Sequence, residues 1–209
     1  KKNDEVLVPA LTFIGTVNAI TYCGAEPHFI DSEICSLGVD SEKLEEYLKK
    51  IVLFVNGKTI NRYTRRTIRA IMPVHVFGHP CKIEEIVKIS KKYNLAVVED
   101  AAEALGSYYK KKHLGNFGNI GCLSFNGNKI ITTGGGGAII TNNKNLAKKI
   151  RHLITTARVK HAWEYEHNEI GYNLRMPNLN AALGVAQLEK IDLFLKAKKI
   201  LFKKYKEKI

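Results

Sequence analysis

The sequence has few cysteines and no long apolar run, and both absences narrow the class of protein. Its four cysteines, Cys23, Cys35, Cys81 and Cys122, are far apart and form no CxxC pair, so neither a zinc site nor a disulfide framework is expected. No apolar stretch approaches the roughly 18 residues that cross a bilayer, and the N-terminal residues do not follow a signal-peptide pattern. We therefore expect a soluble globular protein in the reducing cytoplasm, with no membrane partner.

Acidic residues are outnumbered by basic ones, which gives the chain a formal net charge of +13. Clustered cations can indicate a nucleic-acid-binding domain, because they release counterions from phosphate backbones, and this stays an alternative. Much of the excess, however, lies in residues 196–208, where apolar residues recur at helical spacing between lysines. That pattern favours a solvated helix face over an apolar stripe, and a basic cleft would also suit a nucleotide-linked substrate. We expect no nucleic-acid partner.

The apolar pattern alternates between short strands and amphipathic helices. The predicted strands are Val6–Val8, Pro27–Ile30, Ala70–Val74, Leu95–Val98, Gly121–Phe125 and Ala138–Thr141. The predicted helices are Thr12–Tyr22, Ser41–Lys50, Lys82–Tyr93, Asn143–Thr156 and Asn178–Lys208. Because strand–helix–strand connections are typical of parallel sheets, the fold class predicted is α/β, with a mostly parallel sheet flanked by helices.

One lysine lies in an unusual sequence context. In SFNGNKIITTGGGGAIIT, Lys129 follows a short apolar strand and precedes four consecutive glycines, so we expect it on a tight loop between two buried strands. A lysine desolvated there becomes a nucleophile that can form a Schiff base. The alternative is that Lys129 is an ordinary surface residue of a lysine-rich chain.

An acid stands at the end of another predicted strand. The run Leu95–Val98 is continuously apolar, as in a strand buried on both faces, and it is followed by Glu99 and Asp100. Ligands of open α/β sheets bind beyond the carboxyl ends of the strands, so Asp100 is placed to meet a cation, although such an acid can also be a helix N-cap. Pyridoxal phosphate requires both a Schiff-base lysine and a carboxylate opposite its protonated ring nitrogen.

Four motifs in order carry a resemblance to a known family. They are VPALTFIGTVNAI, EDAAEALGS, SFNGNKIITTGGGGAI and GYNLRMPNLNAALGVAQLE, and together they resemble the DegT/DnrJ/StrS family of pyridoxal-phosphate-dependent sugar aminotransferases. The resemblance implies the large domain of an aspartate-aminotransferase-like (fold type I) enzyme. Within the family, the chain is most similar to the 4-aminotransferases of the legionaminic acid and bacillosamine pathways. Those enzymes act on a UDP-linked 4-keto-6-deoxy-N-acetylhexosamine.

The resemblance implies roles for five residues around the cofactor. Lys129 would form the Schiff base and move protons, and Asp100 would keep the ring nitrogen protonated. Ser124 would contact the phosphate, although a strand-end hydroxyl satisfied by the backbone is its alternative. Phe13 would stack on the cofactor, although it could equally be a core residue. Glu103 occupies a cofactor-side position that is commonly Gln or His in relatives.

The same resemblance implies a homodimer with shared active sites. Asn173 aligns with a residue that relatives extend across the dimer interface towards the cofactor phosphate, and Arg175 lies near it in the sequence. His161, Trp163 and His167 precede them and are candidates for contact with the sugar nucleotide, with loop packing as the alternative for each.

The function implied is transfer of an amino group from L-glutamate to the 4-keto group of a nucleotide-linked sugar, for cell-surface glycan or nonulosonic acid biosynthesis. Related deoxygenating dehydratases carry histidine where this chain has Lys129, which favours amine transfer. Family members are nearly twice as long, so residues 1–209 are expected to be the central part of the cofactor-binding domain, without an upstream phosphate-binding segment and a C-terminal small domain. A non-catalytic fragment or paralogue that only binds partner subunits is the alternative.

Overall fold

The computed structural model describes all 209 residues, and these form two compact units, Lys1–Leu123 and Ser124–Ile209. None of the helices combines the length and the apolar character that crossing a bilayer requires.

The first unit is built around parallel strands. Its strands are β1 (Glu5–Pro9), β2 (Glu26–Ile30), β3 (Val52–Val55), β4 (Lys58–Asn61), β5 (Ile68–Ile71), β6 (Ala96–Asp100), β7 (Tyr108–Tyr109), β8 (Lys112–His113) and β9 (Ile120–Ser124), whose last residue begins the second unit. Five of them follow one another in the order β9-β6-β5-β1-β2, and every neighbouring pair is parallel. The remaining four form two antiparallel hairpins, β3–β4 and β7–β8. The α/β prediction is therefore confirmed.

Three helices accompany these strands: α1 (Ile14–Tyr22), α2 (Ser41–Ile51) and α3 (Ile83–Lys92). Helix α2 begins where the Asp40 side chain accepts hydrogen bonds from the amides of Glu42 and Lys43, which satisfies two of the unpaired donors of its first turn. Apolar residues at helical spacing on α2 and α3 are buried in one core with residues of β1 and β5. Burial of these side chains fixes the helices on the sheet.

The second unit contains one strand, β10 (Gly137–Ile140), and three helices, α4 (Lys144–Leu153), α5 (Asn178–Leu188) and α6 (Ile191–Lys208). The single helix predicted for Asn178–Lys208 is wrong, because the chain leaves helical geometry at Lys190, where φ is -110° and ψ is 8°. Apolar residues continue at helical spacing on both sides of this residue, so the periodicity contained no sign of the break.

Candidate active site

Asp100 is the last residue of β6, and its carboxylate is held at both oxygens. Oδ1 accepts from the amide of Ala102 at 3.1 Å, and Oδ2 accepts from the hydroxyl of Thr16. Its backbone is fixed as well, because its amide donates to Pro73 at 2.9 Å and its carbonyl accepts from His75 at 3.0 Å. Asp100 is half-buried. The carboxylate is thus rigidly placed at the carboxyl end of a parallel strand, where α/β proteins bind ligands.

The neighbouring Glu99 points to the opposite side and is wholly buried. Its Oε1 accepts from the amides of Phe117 and Gly118, and its Oε2 from the amide of Gly115 and from Nε2 of His75. Burial opposes the charge, but the hydrogen bonds from His75 and from the amides of Gly118 and Gly115 outweigh it, so the pKa of Glu99 is lowered. Glu99 therefore anchors the loop before β9. The sequence predicted a strand buried on both faces, but along β6 buried residues alternate with more exposed ones, so only one face of the strand is fully buried.

Two thiols lie close to these carboxylates. Burial raises the pKa of Cys81 to about 12, and its Sγ lies 3.6 Å from Nδ1 of His75. Burial, and after it the charge of Asp100, raises the pKa of Cys122 to about 11. Since the thiolate is the nucleophilic form of cysteine, these raised pKa values disfavour a nucleophilic role for either thiol.

Phe13 and Glu103 also belong to the first unit. Phe13 immediately precedes α1 and is 79% exposed, so it is not a core residue, and its ring face is open to a planar ligand. A Cβ on Gly15 would lie 3.0 Å from Phe13 Cδ1, so the glycine leaves room for the ring. The carboxylate of Glu103 accepts from the amide of Phe77 at 2.9 Å, and Phe77 has the strained φ of 53°. Glu103 thus holds a turn near the end of the sheet.

In the second unit, Lys129 lies in a turn in which its amide donates to the carbonyl of Asn126 at 3.0 Å. Lys129 is half-buried. The flanking strands are less buried than predicted, because β9 is mostly intermediate and β10 alternates between exposed and intermediate residues. The Ser124 hydroxyl accepts from the Asn126 amide at 3.4 Å, which is the backbone contact that the sequence left as its alternative.

One face of α5 holds the far end of this loop. Asn180 Nδ2 donates to the carbonyl of Thr133, and Gln187 Oε1 accepts from the amide of Thr132 at 2.9 Å. Between them, a Cβ on Gly184 would lie only 2.8 Å from Thr133 Cγ2. These residues are spaced at i, i+4 and i+7, so they share one helix face. No pattern in the sequence indicated that α5 supports the loop that carries Lys129, which is called the lysine loop below.

A cleft of about 1000 Å³ lies within the second unit, and three predicted residues, Asn173, Arg175 and His161, line it. Its lining also includes three basic residues that the sequence reasoning missed, Arg151, Arg158 and Lys160, and it includes no carboxylate. Trp163 is 85% exposed and does not line the cleft, and His167 contacts the carbonyl of Thr156 at 2.7 Å through Nδ1. The cleft is therefore suited to an anion.

Fold and residues together define an α/β protein with a fixed carboxylate at a strand end and, separately, a lysine loop and a basic cleft. The chain belongs to the DegT/DnrJ/EryC1/StrS aminotransferase family, because the sequence model of that family matches residues 1–209. The family predicted from the four motifs is thereby confirmed.

Individual relatives agree with this assignment. The chain is 45% identical over 208 residues to GDP-perosamine synthase of Escherichia coli, covering 100% of this chain and 52% of that protein. It is 38% identical over 206 residues to the putative pyridoxal phosphate-dependent aminotransferase EpsN of Bacillus subtilis, covering 99% and 50%. A DegT DnrJ EryC1 StrS aminotransferase structure from Brucella abortus is similar with a TM-score of 0.87 and 28% identity, covering 99% and 52%. The chain thus spans about half the length of these relatives.

Proposed function

We propose that the full-length protein is a pyridoxal-phosphate-dependent aminotransferase that moves an amino group from L-glutamate to the 4-keto group of a nucleotide-linked 4-keto-6-deoxy sugar. The observation that carries the proposal is the fixed carboxylate of Asp100 at the end of β6, in a chain that matches the aminotransferase family over residues 1–209 and has a lysine at position 129.

The residues fit the cofactor by their chemistry. Asp100 offers a charged acceptor for a ring N–H, the exposed Phe13 offers an aromatic face, and Lys129 offers a primary amine. When bound, pyridoxal phosphate supplies an electron sink for carbanion chemistry. Asp100 would keep the ring nitrogen protonated, and the Lys129 amine would take up and return the proton that moves between carbon atoms. Ser124 and Asn173 would contact the phosphate, with Asn173 reaching from the partner subunit of a homodimer.

The cleft of the second unit supports a nucleotide-linked substrate. Four basic side chains, Arg151, Arg158, Lys160 and Arg175, line it without a carboxylate, which suits a diphosphate. His161, which lines the cleft, and Trp163, which lies outside its lining, would contact the sugar nucleotide. The resemblance to the 4-aminotransferases of the legionaminic acid and bacillosamine pathways favours a UDP-linked N-acetylhexosamine, whereas the name of the Escherichia coli relative contains a GDP-linked sugar. The assay below therefore includes both nucleotides.

The test is an assay of the full-length protein with L-glutamate and a panel of UDP- and GDP-linked 4-keto sugars. We expect one of them to be converted to the 4-amino sugar, and Lys129→Ala to lower turnover by about a hundredfold or more. Lys144→Ala, at an exposed position at the start of α4, is the control and should behave as wild type. Borohydride should attach the cofactor covalently to the peptide that contains Lys129.

Three results would contradict the proposal. If Lys129→Ala retained turnover, Lys129 would not be the catalytic lysine. Wild-type protein that binds no cofactor and converts no sugar nucleotide would favour the non-catalytic alternative, and salt-sensitive binding to duplex DNA would favour the nucleic-acid alternative.

A further inference from the structure

Thr16 connects α1 to the carboxylate at the end of β6. Its side chain is 5% exposed, and its hydroxyl donates to Oδ2 of Asp100, 84 residues further along the chain. The hydroxyl of Thr12 in turn donates to that of Thr16 at 2.9 Å. The hydroxyl of Thr16 gives its one proton to the carboxylate, so it can only accept from Thr12. The Thr12 hydroxyl also lies 3.3 Å from the carbonyl of Phe13, and its contact with Thr16 is the shorter of the two. The contacts thus run in one direction, from Thr12 through Thr16 to Asp100.

This chain completes the fixation of the carboxylate. The torsion that rotates an aspartate carboxylate is broad, and the single bond from the Ala102 amide to Oδ1 would leave it free to turn. The hydroxyl of Thr16 holds the second oxygen, so the plane of the group is defined by two donors on two different elements. Each carboxylate oxygen accepts more than one hydrogen bond, and one further donor can therefore be received in a fixed direction.

The surroundings of Thr16 favour a charged acceptor. It lies in the first turn of α1, which has no acidic residue and no side-chain cap of its own. The N-terminal turn of a helix stabilises a nearby negative charge, and hydrogen bonds in a chain polarise one another. Asp100 thus supplies from β6 the negative charge that α1 lacks.

We propose that Thr16 is a positioning residue, which orients the Asp100 carboxylate towards the ring nitrogen of a pyridine cofactor. The inference rests on the proposed function, since it concerns the same site. Thr16 itself does not contact the cofactor in this role and acts only through Asp100. A purely structural role, in which the hydroxyl only joins α1 to β6, would change stability and leave the bound cofactor unaltered.

The test compares four variants of the full-length protein with wild type. Thr16→Val keeps the shape and removes the hydroxyl, and Thr16→Ser keeps the hydroxyl. Thr21→Val is the matched control, because the Thr21 hydroxyl donates to the carbonyl of Asn18 on the exposed side of the same helix. Asp100→Asn shows the effect of losing the carboxylate charge. The measurements are the Kd for pyridoxal 5'-phosphate, the visible absorption band of the bound cofactor, which responds to a change in the electrostatic environment of its ring, and the unfolding midpoint.

We expect Thr16→Val to bind pyridoxal phosphate about tenfold more weakly, as for the loss of one hydrogen bond to a charged group. Its absorption band should move in the direction seen for Asp100→Asn, while Thr16→Ser and Thr21→Val match wild type. An unchanged affinity and band in folded Thr16→Val overturns the inference. Equal weakening in Thr16→Val and Thr16→Ser, with a lowered midpoint, also overturns it in favour of packing. Failure of wild type to bind, or no effect of Asp100→Asn, would instead overturn the proposed function, and the inference with it.

Discussion

Replacing Glu99 with glutamine is expected to lower the free energy of unfolding by about 3–5 kcal/mol, the cost of leaving a buried charge network without its partner. The substitution keeps the shape of the side chain. One of its two polar atoms becomes an NH₂ group, however, and that group faces donors: the amides of Phe117 and Gly118 on one side, or the amide of Gly115 and His75 on the other. Two hydrogen bonds to a charged acceptor are lost, each contributing about 1.5–3 kcal/mol.

The assay is urea denaturation of the full-length protein followed by circular dichroism, with the free energy taken from linear extrapolation. Glu45→Gln is the control, because Glu45 pairs with Lys92 at the surface and such pairs contribute little. If Glu99→Gln lowers the free energy of unfolding no more than Glu45→Gln does, the stabilising role given to the buried carboxylate is refuted.

The same buried carboxylate should make the free energy of unfolding depend on pH. The pKa of Glu99 in the folded protein lies below its ordinary value of 4.5, because the hydrogen bonds from His75 and the loop amides outweigh burial. Its contribution is therefore fully present above pH 4.5 and is lost as the pH falls through the lower folded-state pKa. Wild type should lose stability in that acidic window, and Glu99→Gln should lose less of it, since its amide does not titrate.

Two further substitutions test the turn of the β7–β8 hairpin and the support of the lysine loop. Lys111→Gly should stabilise the protein by about 1 kcal/mol, because Lys111 has a φ of 66°, which is unfavourable for a residue with a Cβ. Lys111→Ala retains a Cβ and should give no such gain. Equal unfolding midpoints for the two variants would contradict this reasoning. Gly184→Ala should destabilise, because overpacking against Thr133 Cγ2 costs about 1–3 kcal/mol and opposes a helix gain of about 1 kcal/mol. Thr133→Ser removes that methyl group and should restore stability in the double variant; additive effects in the double-mutant cycle would show that the two groups do not meet.

The five parallel strands and three helices of the first unit could be predicted because their apolar residues follow the periods of the elements they form. The four short strands of the two hairpins, β3–β4 and β7–β8, were not predicted. The pattern also located Asp100 at a strand end, which the structure confirms. The pattern did not show that Glu99 and Asp100 point to opposite faces of the strand. Burial of Glu99 depends on the amides of Gly115, Phe117 and Gly118, and these are main-chain groups that no side-chain pattern encodes.

The second unit was harder to predict for a related reason. The break at Lys190 lies between two apolar helices, and neither proline nor glycine marks it. Arg151, Arg158 and Lys160 resembled other basic residues of a basic chain, and only folding brings them to one cleft. Motifs identified the residues nearest to the proposed chemistry, whereas the residues that support them, such as Thr16 and Gly184, depend on contacts between distant positions.

The alternation along β6 has a consequence for how this sequence can change over generations. A substitution at position 99 changes the hydrogen bonds that hold the loop before β9, and a substitution at position 100 changes the carboxylate that is proposed to face the cofactor. Stability and cofactor binding can therefore change independently of each other. Inserting or deleting one residue within the strand would exchange the two carboxylates between the faces. Variation of length should therefore be tolerated in the hairpins and excluded from this strand.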